Sequence, residues 1–275
     1  MLSHFAPVVL LLALALPAGA VEVTRFDFDG NVVGGRNLAF TQSPTAGAFV
    51  SPGDGFDPYQ RGVSPTIPLD LLDDTTTLAS DTSGIVDSTK LDRWFGVADL
   101  ANPQNLSGVG VAEWAFDVSG FTDLSLSIDM AAMGDFEDGL GEILADVFDW
   151  SVSLDGGAFV PLFVSSVDED ASHVYTMESG ALRTIDDPLF MNGVLLDNAF
   201  ATLSAPVAGA GSTLTLRLDA LMDGSDEGYA FDTIVVSGSV PEPRTTALLL
   251  AGIALAAAVR RSCSEVEPEP VRSLQ

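Results

Sequence analysis

Residues 213–237, TLTLRLDALMDGSDEGYAFDTIVVS, decide the fold. Leu214, Leu216, Leu218 and Ala220 alternate with Thr213, Thr215, Arg217 and Asp219, the period of a strand with one face in a core and the other in water. The turn cluster Asp223-Gly224-Ser225-Asp226-Glu227-Gly228 follows, and then a second apolar strand, Tyr229 to Ser237. A helix would repeat its apolar residues every three to four positions, and this stretch does not.

The same period recurs upstream. Val111, Trp114, Phe116 and Val118 mark one candidate strand, and Leu124, Leu126, Ile128 and Met130 the next, joined by the turn-like stretch 119–123. Phe148, Trp150, Val152 and Leu154 alternate again. Asp155-Gly156-Gly157, which tolerate positive φ, then lead into the apolar run 158–164, a predicted β-hairpin. Residues 21–28 supply a first strand. No stretch of twelve or more residues between 21 and 240 has a helical period, and short turns are expected only near 67–72 and 140–146. Strands without intervening helices cannot build a parallel sheet. The expected fold is therefore all-β, an antiparallel β-sandwich of jelly-roll type, forming one domain over 21–239. No repeat or linker interrupts it, although 42–68 is loop-rich, with five prolines.

Charge narrows the function. Residues 21–240 carry 35 acidic side chains against seven basic ones, so the net charge of -28 sits on this segment. A nucleic-acid surface needs clustered Lys and Arg; here there is one lysine, Lys90, and six scattered arginines, which argues against nucleic acid or phosphate as a partner. The segment has no cysteine, so an ordinary core must hold it together.

The two ends read as addresses. FAPVVLLLALAL at 5–16, then Pro17 and Ala18-Gly19-Ala20, has the length and small-residue exit of a signal peptide over residues 1–20, cut after Ala20 by signal peptidase. At the other end Val240-Pro241-Glu242-Pro243 precedes an apolar helix at 245–259 and the pair Arg260-Arg261. At about 1.5 Å per residue its 15 positions reach roughly 22 Å, a marginal span of a core about 30 Å thick. The arginines would keep their end in the cytoplasm and leave residues 21–239 outside. Cys263 falls in the cytoplasmic tail, 262–275, as a solvated residue or a site of lipidation.

Taken together, Val240-Pro241-Glu242-Pro243, the short apolar helix and Arg260-Arg261 resemble the PEP-CTERM sorting signal of Gram-negative bacteria, over 240–261. That resemblance implies an exosortase-type enzyme as processing partner and cleavage near Pro-Glu-Pro. The precursor would be anchored in the inner membrane by its helix, and the product released to the cell surface or extracellular matrix. The tail after Arg261 is longer than such signals usually carry. FDFDG at 26–30, the Asp-edged hairpins and the closing stretch 211–238 resemble the jelly-roll modules of secreted bacterial proteins, in which the first and last strands often lie side by side.

Calcium is the sharpest chemical expectation, since it takes six to eight oxygens and Asp/Gly-rich loops supply them. Three clusters qualify: Asp27, Asp29 and Asn31; Asp135, Glu137 and Asp138; and Asp223, Asp226 and Glu227. Asp232 would share an ion with the first if the terminal strands are neighbours. None has EF-hand spacing, and Asp residues that only form turns and solvate the surface would look the same. Catalytic motifs are missing from the sequence. His173 is the lone histidine after signal cleavage, and there is no GxSxG, HExxH or P-loop. Among carboxylates, Glu113, Glu137 and Glu142 are the candidates for a glycosidase pair. Tyr59, Trp94 and Trp114 are candidate glycan-stacking rings, or else plugs at the ends of the sandwich. The expected protein is exported and non-catalytic, a surface or matrix component that binds extracellular polysaccharide; the alternative is a secreted glycoside hydrolase.

Overall fold

Each alternating segment of the sequence forms a strand in the computed structural model, which describes residues 19–30, 35–49, 51–74, 83–139, 145–224, 226–241 and 253. Gly19–Val240 is one compact unit. The other, Met1–Ala18 with Pro241–Gln275, falls outside the described residues except for Pro241 and Ile253, and most of both expected address segments falls there with it. Among the described residues no helix is long and apolar enough to cross a membrane.

In chain order the strands are β1 (Val21–Phe26), β2 (Asn37–Ser43), β3 (Gly55–Tyr59), β4 (Trp94–Ala98), β5 (Val109–Asp117), β6 (Thr122–Met133), β7 (Val147–Leu154) and β8 (Val160–Phe163). There follow β9 (Ser165–Val167), β10 (Ser172–Thr176), β11 (Leu182–Asp186), β12 (Leu189–Met191), β13 (Val194–Leu195), β14 (Ala201–Pro206), β15 (Thr213–Leu221) and β16 (Gly228–Ser239). The turn expected near 67–72 is a 3-10 turn at Leu69–Leu71. The expected hairpin joins β7 to β8, with Asp155 and Gly156 at φ 50° and 72° as the turn requires.

Two large antiparallel sheets make the body a β-sandwich. The first has the order β14-β6-β16-β4-β3, with β1 also on β16; the second is β2-β5-β15-β7-β8. β6 covers one side of β16. The other side is shared, Tyr229–Phe231 by β4 and Ile234–Gly238 by β1. An extra residue between Phe231 and Ile234 makes a bulge against β6. The links β5 to β6, β6 to β7 and β15 to β16 cross from one sheet to the other, so the stretch 119–123 connects sheets and closes no hairpin.

Alternate side chains of both sheets meet in the middle: Trp114, Leu216 and Trp150 from one, Ile128, Phe231 and Val236 from the other. Phe231 is the centre, 4.9 Å from Phe95, 4.8 Å from Trp150 and 5.7 Å from both Trp114 and Phe28, centroid to centroid. Trp150 Nε1–H donates to Tyr229 Oη at 2.9 Å, a buried hydrogen bond between the sheets.

The outer face of the first sheet is covered too. Trp94, Ala131, Met133 and Ala230 pack under Tyr59, Leu71, Ile85, Val86, Tyr175 and Met177, a second core built from β3, residues near 71 and 85–86, and the β10–β11 hairpin. This corrects the expectation of exposed glycan-stacking rings. Trp94 and Trp114 are fully buried and Tyr59 is 7% exposed, because β4 is buried on both faces and Trp114 points between the sheets.

Candidate functional site

Register brings together two clusters that lie ninety residues apart in the chain. Met133, the last residue of β6, pairs with Gly228, the first of β16. The connector leaving β6 therefore lies against the connector entering β16. Phe136, 1% exposed and edge-on to Phe148 at 6.1 Å, pins the first connector to the core. Glu137 and Asp146 clasp it: Glu137 N–H donates to Asp146 Oδ2 at 2.7 Å and Asp146 N–H to the Glu137 carbonyl at 2.8 Å.

Glu227 enters from the second connector. Carboxylate oxygens of Glu137, Asp146 and Glu227 lie within 4.8 Å of one another, the one set of three or more such ligand groups among the described residues. Glu227 is 1% exposed and Asp146 4%. Burial, and after it the carboxylates of Asp146, Glu137 and Asp223, holds Glu227 far above the usual carboxylate range; burial and then Asp146, Asp223 and Asp135 raise Glu137. Glycine makes the fit possible. A Cβ on Gly224 would stand 1.3 Å from Glu227 Oε1, and one on Gly134 would stand 2.6 Å from Glu227 Cα.

The other expected ligands are elsewhere. Asp135 and Asp226 line, with Asp70, a cavity of about 480 Å³. Asp138 N–H donates to Glu169 Oε1 at 2.8 Å. Asp223 raises its acidic neighbours without joining the trio. In the first cluster Asp29 Oδ1 accepts the Arg93 N–H at 2.8 Å, and Asn31 lies outside the described residues. The terminal strands are neighbours, yet Asp27, Asp29 and Asp232 do not group together; Asp232 takes the Lys90 ammonium at 2.7 Å instead. Sequence reading did not single out Asp146, and no spacing rule would have found it, because only the pairing of β6 with β16 brings it to Glu227.

Acid accumulates around this end. Burial, with Asp54, Asp223 and Asp70 close by, raises Asp99 to about 6. Its folded value lies above the ordinary aspartate value of 3.8, so the folded state binds the extra proton and stability falls as pH rises between the two. Asp99→Asn is expected to be more stable than wild type at pH 7 by about 1 kcal/mol, a figure kept well below the full shift because Asp99 is only partly buried and solvent screens it. The difference closes below about pH 4. Urea unfolding in chelator across that range checks it, and a pH-independent difference would refute it.

A glycosidase pair needs carboxylates about 5–9.5 Å apart with room for a sugar between them. Glu227 is sealed from solvent, Glu113 lies 3.6 Å from Arg217 on the outer face of the second sheet, and Glu142 lies outside the described residues. His173, on β10, stands 3.5 Å from Asp197 and edge-on to Tyr175 at 4.6 Å. A cavity of about 340 Å³ opens beside β3, where Phe49, Pro58 and Tyr59 give an apolar wall and Ser51, Asp54, Ser64 and Thr66 give polar groups.

No family model matches the chain, and no curated protein does. Solved structures it resembles include the N-terminal CBM22-1–GH10 modules of the Clostridium thermocellum xylanase 10B complexed with xylohexaose, at 8% identity and TM-score 0.31, covering 81% of this chain and 29% of that one. The Agl-KA catalytic domain is similar at 13% identity and TM-score 0.29, covering 84% and 30%. The arabinosyltransferase EmbB of Mycobacterium smegmatis matches at 16% and TM-score 0.19, covering 80% and 21%. The chain spans less than a third of the length of each, and at these TM-scores the likenesses carry no argument.

Proposed function

We propose that the chain is an exported, non-catalytic component of the cell surface or extracellular matrix, a sandwich of jelly-roll type that binds extracellular polysaccharide. In this reading signal peptidase cuts after Ala20. An exosortase-type enzyme then processes the inner-membrane-anchored precursor at the PEP-CTERM-like signal, Val240-Pro241-Glu242-Pro243 to Arg260-Arg261. The carrying observation is that the sandwich is complete between the two sites. β1 closes on β16, Val21 opposite Gly238, so cutting at either site removes none of the strands among the described residues. The repeated sheet-to-sheet connections and the side-by-side terminal strands favour the jelly-roll type.

The cavity beside Tyr59 is the best place for a sugar. Its volume is in the lower part of the range for small-molecule pockets, about 300–1,000 Å³, and its lining combines apolar residues with hydroxyl and carboxylate partners. Thr66 is exposed at its rim, so Thr66→Trp blocks it without touching the core. On immobilised acidic and neutral polysaccharides, wild type should be retained and Thr66→Trp should lose at least about tenfold in affinity at an unchanged melting midpoint. N-terminal sequencing of the exported product should begin at Val21. Failure to bind every polysaccharide tested, or recovery of the uncut chain from the cytoplasm, would overturn the reading.

A further inference from the structure

Three carboxylates held out of water within reach of one another need protons or a cation between them. Four of their oxygens, Glu137 Oε2, Asp146 Oδ1 and both of Glu227, are buried with no hydrogen-bond donor among the described residues. Glu227 decides the matter: its side chain is sealed from solvent, neither oxygen has a hydrogen-bond partner among the described residues, and one of them lies within 4.8 Å of carboxylate oxygens of Glu137 and Asp146. No ion pair with a described Lys, Arg or His engages any of the three.

The geometry points to a divalent-cation site of the calcium class, held by Glu137, Asp146 and Glu227 where the connector leaving β6 meets the one entering β16. Calcium bonds oxygen at about 2.3–2.6 Å, so two oxygens on one ion stand up to about 5 Å apart. The 4.8 Å spread of this trio fits that shell. Magnesium, at about 2.0–2.1 Å in a strict octahedron, asks for a tighter set, and zinc favours nitrogen and sulfur donors. The Gly- and Asp-rich connectors can supply backbone carbonyls for the remaining positions. Bound there, the ion ties together two of the crossings between sheets, β6 to β7 and β15 to β16. The site draws Glu137 from one sequence cluster, Glu227 from another and Asp146 from neither, and it stands whether or not the termini are processed.

The test is thermal unfolding of the full chain in mild detergent, with millimolar calcium, millimolar magnesium or EGTA. An ion that binds only the folded state raises the midpoint by mass action, here by about 5–10 °C in calcium over EGTA, with magnesium giving much less. Glu227→Gln should abolish the calcium shift while melting higher than wild type in EGTA, since the folded state no longer bears the cost of burying an ionisable carboxyl there. Glu137→Gln, at the more exposed rim, keeps the fold under test and should weaken calcium binding at least about tenfold by calorimetry. Equal midpoints in calcium and EGTA overturn the site. So does a full calcium shift retained in both variants.

Discussion

Phe231→Ala lowers the stability of the sandwich by about 4 kcal/mol, a large fraction of what a domain of this size holds in reserve. Phe231 is fully buried at the point where both sheets and β4 converge, stacked on Phe95 and edge-on to Trp150 and Trp114. Truncation removes the transfer free energy of the ring and leaves a cavity walled by other rings. Those rings belong to strands fixed by ladders on both sides, so they cannot collapse into the space. Phe231→Leu, which keeps most of the volume, should cost about 1–2 kcal/mol. Urea unfolding followed by tryptophan fluorescence reads both directly. A loss under about 1 kcal/mol for the alanine variant would mean that the centre of the core lies elsewhere.

Lys90→Met costs about 3 kcal/mol at neutral pH, for an electrostatic reason. Asp232 sits at the bulge of β16 with 9% of its side chain exposed, and its cation is the ammonium of Lys90 at 2.7 Å. Lys90 also lies 3.2 Å from Asp92 and 4.8 Å above the Phe200 ring. Burial already raises Asp232 against the pull of Lys90. Without Lys90 the folded-state value climbs further, so the folded protein binds the proton more tightly than the unfolded chain. The deficit is then largest at neutral pH and shrinks as pH falls toward the ordinary carboxylate value of about 4. Lys90→Met with Asp232→Asn should recover most of the loss at pH 7, which a simple packing defect at position 90 would not allow. Stability curves of the two variants at pH 4 and pH 7 separate these outcomes.

Strand existence was legible because alternation is a local property. Leu214 to Ala220 and Leu124 to Met130 announce one buried face each, and the structure places them on such faces. Trp94-Phe95 misled for the same reason. A strand buried on both sides does not alternate, so β4 carries no such signal and its tryptophan reads as a candidate stacking ring. The second core, under Leu71, Ile85, Val86 and the β10–β11 hairpin, was hidden because its members come from segments too short or irregular to show a period. The acid trio was half legible: Gly-flanked acids at 135–138 and 223–227 were visible, but their meeting depends on the register of β6 against β16, which is set by the whole sheet. Lys90, the one lysine of the chain, could not be assigned to Asp232, 142 residues away, without that sheet either.

The position of β16 has a mechanical consequence. The strand that leads out of the sandwich toward the C-terminus is a central one, twelve residues long, laddered to β6 on one side and to β4 and β1 on the other. Tension applied at residue 239 runs along its axis, and the rungs on both flanks take the load at once, in shear. An outermost strand under the same tension would peel away one rung at a time. A chain pulled from that end thus resists through its strongest seam.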